Sequence, residues 1–141
     1  MDNQIDNIVH SAIQLGACNG VHKISDYRSL VAVFFKPQGI EFCKKHNYPS
    51  IDTFREVKDC VKMRGVYIDR GKIHIKGAKH ICLVGNTDAT IYASGVKWVH
   101  TIILMHGAKA TIHACNYAVL NIVNISGLEV KIHKDQTVVN L

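Results

Sequence analysis

Nine histidines and five cysteines among 141 residues are the side chains most able to do chemistry, and their spacing decides which chemistry. Zinc sites draw on close ligand pairs such as Cys-x-x-Cys or His-Glu-x-x-His, and neither pattern occurs. His113-Ala114-Cys115 puts an imidazole and a thiol on one side of a strand, with no third ligand at a matching spacing. No metal and no other cofactor is therefore expected. Cys18, Cys43 and Cys60 fall in apolar stripes at helical spacing, where a buried, inert thiol is the expectation. Carboxylates able to work as an acid–base pair are scarce from Gly65 onward: Asp69, Asp88, Glu129 and Asp135 lie mostly at turn positions and share no common repeat position. Gly16-Ala17-Cys18-Asn19-Gly20 follows a helical pattern instead of joining strand to helix, so it reads as a chain reversal and not a phosphate cradle. No catalytic residue is assigned. A non-enzymatic protein is the leading expectation, with a Cys/His enzyme the least favoured.

What remains is a set of cationic and ring side chains: Lys72, His74, Lys76, Tyr92, His113, Lys131 and His133. Their place is fixed by a repeat. Ala89-Thr90-Ile91-Tyr92-Ala93, Ala110-Thr111-Ile112-His113-Ala114 and Val130-Lys131-Ile132-His133 align, setting Ile91, Ile112 and Ile132 at intervals of 21 and 20 residues. A β-rich period of about 20 residues is the mark of a solenoid whose rungs stack. Side chains alternate along a strand, so the Ala-x-Ile-x-Ala residues share the interior and the Thr, Tyr, His and Lys positions face out. With rungs roughly 4.8 Å apart, Tyr92, His113 and His133 should form an outward ladder that His74 extends. The ladder is the candidate binding surface, for an anionic polymer and for nucleic acid first, with rings able to stack on bases or sugars.

A second aligned strand (81–84, 102–105 and 122–125) is apolar on both sides. Asn124 interrupts one parity, which assigns that set, Ile81, Leu83, Ile102, Leu104 and Ile122, to the outside. A sheet face apolar on its outer side has to be covered. The N-terminal helices are the first candidate cover and a second subunit the runner-up, so this set is the candidate interface. Val96, Trp98 and Val99, with Tyr117, Val119 and Leu120 and then Val138 and Val139, would make a third side.

Carried by the rung period and the Ala-x-Ile-x-Ala motif, residues 65–141 resemble the small parallel β-helix proteins, among them the polymer-forming bactofilins and compact β-helical proteins of phages and bacterial mobile elements. The resemblance is one of architecture. The leading expectation is a structural or interaction protein that self-assembles as a homo-oligomer or docks a protein partner, and binding of an anionic polymer through the ladder is the alternative.

Upstream, the apolar period is helical. Ile5, Ile8, Val9, Ala12 and Ile13 make one stripe that stops at Gly16, and Ser25 can cap a second helix bearing Tyr27, Leu30, Val31, Phe34 and Phe35. Pro37 suits a first helical turn, and Pro49-Ser50 opens a last helix with Ile51, Phe54, Val57 and Val61. The expected fold is mainly β: a short right-handed parallel β-helix of about four rungs over residues 65–141, with a helical cap over 1–64, forming one cooperative unit.

The formal net charge of +6 is uneven, with nine Lys/Arg against seven Asp/Glu in residues 1–64 and eight against four in 65–141. A basic excess of this kind favours an anionic partner. No apolar run reaches the roughly 18–20 residues that span a bilayer, and the N-terminus lacks the basic and apolar regions of a secretory signal. An odd number of widely spaced cysteines reads as reduced thiols. The expectation is a cytoplasmic protein without a membrane partner.

Overall fold

Strands begin where the apolar period changes from 3.6 to 2, because alternation is the pattern a half-buried strand needs. The computed structural model describes residues 3–17, 19–126 and 128–141. Its strands are β1 (Val66–Ile68), β2 (Gly71–Lys76), β3 (His80–Val84), β4 (Thr87–Ser94), β5 (Val99–Met105), β6 (Lys109–Cys115), β7 (Val119–Asn124), β8 (Lys131–Lys134) and β9 (Val139–Asn140). Odd strands form one parallel sheet in the order β1-β3-β5-β7-β9, and even strands form the other, β2-β4-β6-β8. A chain that visits two parallel sheets alternately is a coil, here a parallel β-solenoid of about four turns. The third side is absent as a separate sheet among the described residues: Val99 and Val119 open β5 and β7 and pair with each other.

The rung register follows the repeat. Ala89, Ile91 and Ala93 of β4 lie opposite Ala110, Ile112 and Ala114 of β6, and all six are buried in one core. Ile132 of β8 lies opposite Ile112 and packs at the edge of that core. Corners are tied by side chains reaching backbone. The Thr87 hydroxyl donates to the Val84 carbonyl at 3.0 Å and accepts from the Arg70 N–H at 3.1 Å, while an Asp69 carboxylate oxygen accepts from the Asn86 N–H at 2.8 Å. Successive turns are thereby stapled where backbone groups would otherwise lack partners. Gly65, at φ +85°, approaches the next rung so closely that a Cβ there would stand 2.6 Å from the His80 carbonyl oxygen.

The odd-numbered sheet reverses one expectation. Ile81, Leu83, Ile102 and Leu104 share the solenoid core with Ile91 and Ile112, and Ile122 packs against it. They face inward, so they are not an exposed interface. Asn124 misled because it ends β7, where the inward parity is already leaving the core: it is exposed, and its amide donates to the Leu128 carbonyl at 2.6 Å. His100 is a buried polar side chain on the same sheet: it lies in β5 only 3% exposed, with Nδ1 2.8 Å from the Ala78 carbonyl oxygen. A carbonyl only accepts, so Nδ1 carries the proton.

The chain divides between Arg64 and Gly65, and the helical unit has its own elements. They are α1 (Asn3–Gln14), a 3-10 turn (Asn19–Lys23), α2 (Tyr27–Phe34), α3 (Pro37–His46), α4 (Ile51–Glu56), α5 (Lys58–Val61) and a second 3-10 turn (Lys62–Arg64). Ile5, Ala12, Val21 and Ile24 form a core with Val9, Leu30 and Phe42 packed around it. Asp26, not Ser25, caps α2, because it completes a capping box: its carboxylate accepts from the Ser29 N–H at 2.8 Å and the Ser29 hydroxyl accepts from the Asp26 N–H at 3.0 Å. Hydrogen bonding of the carboxylate to the Ser29 N–H, and then to the Ser29 side chain, holds the Asp26 carboxyl below its ordinary range. Pro37 occupies the first turn of α3, as its missing N–H permits. The expected last helix is broken at Val57 into α4 and α5, a break that leaves Phe54, Val57 and Val61 all buried.

Candidate functional site

The even-numbered sheet presents its outward positions in columns that run along the coil. Strand pairing sets Lys76, Tyr92, His113 and His133 in one column and His74, Thr90, Thr111 and Lys131 in the next. A third column holds Lys72, Asp88 and Lys109. Neighbouring columns are two residues apart along each strand, roughly 6.6 Å. The sequence-derived set is therefore brought to one face but divided among three columns.

Within the first column the rings lie on one another. Tyr92 and His113 have centroids 5.2 Å apart with planes 15° from parallel, and His113 and His133 are 4.9 Å apart at 13°. His74 reaches this stack diagonally, since its strand partner is Thr90: its ring is 6.5 Å from that of Tyr92 at 12°. Lys76, not His74, is the in-register neighbour of Tyr92.

Parallel rings at rung spacing alter what the ladder can do. Each inner ring has its faces turned to the rings above and below, so bases or sugars cannot stack on those faces without prying the ladder open. What faces outward is the ring edge, where imidazole N–H and phenol O–H groups sit. An edge ladder recognises by hydrogen bonding and charge, not by stacking.

Beside the column runs a groove of about 680 Å³ lined by Lys76, Tyr92, His113, His133 and Lys134, with Ser94, Cys115 and Asp135 at one end. Lys134 was missed by the alternation argument because it pairs with Ala114, an inward position. It is exposed because β8 ends there, and its place next to the turn residue Asp135 is the signal that would have found it. The acid that reaches the groove is already engaged: an Asp135 oxygen accepts from the Thr137 N–H at 2.8 Å and from the Thr137 hydroxyl, which holds the carboxyl below its ordinary range. The Asn116 amide, at the next corner, donates to the Ser94 hydroxyl at 3.1 Å.

The three columns differ in charge. Asp88 lies in register between Lys72 and Lys109, so that column alternates in sign, whereas Lys76, Lys131 and Lys134 have no acid at the paired position on the adjoining strand. Lys72 is consequently the weakest of the sequence-derived cations. Among the described residues no three His, Cys, Asp or Glu side chains are grouped to hold a metal ion. Cys115 is an exposed free thiol two residues from His113. Cys43 is buried as expected, with its thiol pushed up to about 12 by burial, but Cys60 is exposed, contrary to its placement on an apolar stripe. Cys18 lies outside the described residues.

Together these features define a parallel β-solenoid with one basic, ring-lined sheet. Comparison of the chain with protein-family models, with curated proteins and with solved structures finds no match. Among the described residues no helix is long and apolar enough to cross a membrane.

Proposed function

We propose that the β-helical unit is a non-enzymatic interaction module whose even-numbered sheet holds the backbone of an anionic polymer, nucleic acid first. The carrying observation is the Lys76-Tyr92-His113-His133 column beside its groove, with Lys134 in the groove and Lys131 in the adjoining column. Phosphates would meet lysine ammonium groups as point charges and ring edges as hydrogen-bond donors. Arg70 is the one arginine of residues 65–141, so bidentate reading of individual groups has little part in this surface. Recognition is then independent of base sequence. Cys43, Cys60 and Cys115 are free thiols, which supports a reducing, cytoplasmic setting for such a partner.

The test is anisotropy of a labelled single-stranded 20-mer at low salt with wild type and the Lys76→Glu/Lys131→Glu variant. Both lysines are exposed, so the fold should survive. The expected result is saturable binding that the variant loses by tenfold or more. Equal binding by the two proteins would defeat the reading.

A second reading is a structural protein of the bactofilin kind that assembles with copies of itself or a protein partner. The parallel solenoid supports it in general terms. Its specific basis is weaker than the sequence implied, because Ile81, Leu83, Ile102 and Leu104 pack inside the coil. Mass by light scattering separates the two: assembly through apolar surface keeps one oligomer at low and high salt.

A further inference from the structure

We propose a second binding site, in the helical unit, for a small amphipathic anion: an aliphatic chain ending in one carboxylate. α1, the Asn19–Lys23 turn, α2 and α3 line an open cavity of about 570 Å³, within the roughly 300–1,000 Å³ range of small-molecule sites. Its walls are apolar side chains such as Val9, Leu30, Val33 and Phe42, each partly buried at the margin of the helical core instead of closed over by it. Polar groups inside are already satisfied or uncharged. The Tyr48 hydroxyl donates to the Ile8 carbonyl at 2.6 Å, and the Cys43 thiol stays protonated at neutral pH. The body of the cavity therefore favours hydrocarbon.

Charge at the cavity selects the headgroup. Among the described residues Lys23 and Lys36 are the charged side chains lining it, both are exposed, and no acid joins them. An apolar cavity lined by two exposed lysines complements a carboxylate, which would gain charge-assisted hydrogen bonds from them. A neutral headgroup gains less, and a cationic one is repelled. The site shares no residue with the ladder groove and does not depend on the polymer-binding reading.

The full chain would be titrated calorimetrically with decanoate, decanol and decyltrimethylammonium, all below micelle-forming concentrations. Saturable binding of one decanoate per chain is expected, at least tenfold tighter than decanol, with no binding of the ammonium. Ala32→Trp, at an exposed lining position, should block the cavity, and Lys23→Glu/Lys36→Glu should weaken decanoate at least tenfold, both with unchanged far-UV circular dichroism. The Lys76→Glu/Lys131→Glu variant should bind decanoate like wild type. Absence of saturable decanoate binding, or equal affinity in wild type and both cavity variants, would overturn the proposal. Equal affinity for decanoate and decanol would overturn the assignment of the lysines.

Discussion

Ring orientation sets what the histidines can contribute. Imidazoles that stack on Tyr92 and on each other offer their edges to the groove, so polymer affinity should vary little between oligo-dT and oligo-dA of equal length. Anisotropy on the two should agree within about threefold, as expected of a surface that meets the backbone and not the bases. His113→Ala removes the middle of the stack and should weaken binding of both alike. The cysteines give a residue-scale check on the fold. In native protein at mildly alkaline pH, iodoacetamide should label exposed Cys60 and Cys115 and spare Cys43, as peptide mass mapping would show. Cys43 also carries a pH dependence. Its folded pKa of about 12 lies above the ordinary 9.0, so the folded state resists ionisation there. The stability this reflects is intact below about pH 9 and is lost progressively as pH rises from 9 toward 12. Asp26 works at the other end of the scale. Its depressed carboxyl contributes stability present above its ordinary 3.8 and lost as pH falls through the lower folded value, so Asp26→Asn should flatten the acid limb of a thermal-melt series.

At the scale of elements, strand alternation was legible wherever one side of a strand is polar. Ala-x-Ile-x-Ala opposite Thr and His leaves one inward solution, and β4 and β6 adopt it. Ile112→Ala, at the centre of that core, should destabilise the protein by about 2–5 kcal/mol, and Ala110→Leu by about 1–3 kcal/mol through overpacking, both read from urea unfolding followed by circular dichroism. The same reasoning failed on β3, β5 and β7, whose strands are apolar on both parities. A single polar residue, Asn124, decided the assignment there, and it lies where the strand leaves the core. Side-chain period carries no information when both faces are apolar. The helical unit shows the matching limit. Stripes located the helices, but Asp26 supplanted Ser25 because the cap depends on a reciprocal bond with Ser29, a pairing between residues and not a property of one.

For the whole molecule, the division of charge matters more than its total. The excess lies mainly in residues 65–141 and, within them, Lys76 and Lys131 stand without an acid at the paired position in the two columns nearest the groove, while Lys134 lines the groove itself. The sequence showed which residues reach the outer face of the sheet. It could not show that Asp88 would sit between Lys72 and Lys109, nor that Lys134 would escape the interior, because both depend on where each strand starts and stops. Single-strand binding loses affinity with a log–log salt slope of about −0.7 per phosphate neutralised. Lys76, Lys131 and Lys134 should then give a slope of about −2. The deciding measurement is that slope, from anisotropy of a single-stranded 20-mer across a salt series, for wild type and for Lys76→Glu/Lys131→Glu. Binding through this face predicts a slope near −2 that shrinks to about −0.7 or less in the variant, which keeps Lys134 alone. A wild-type slope near zero, or the same slope in both proteins, would contradict it.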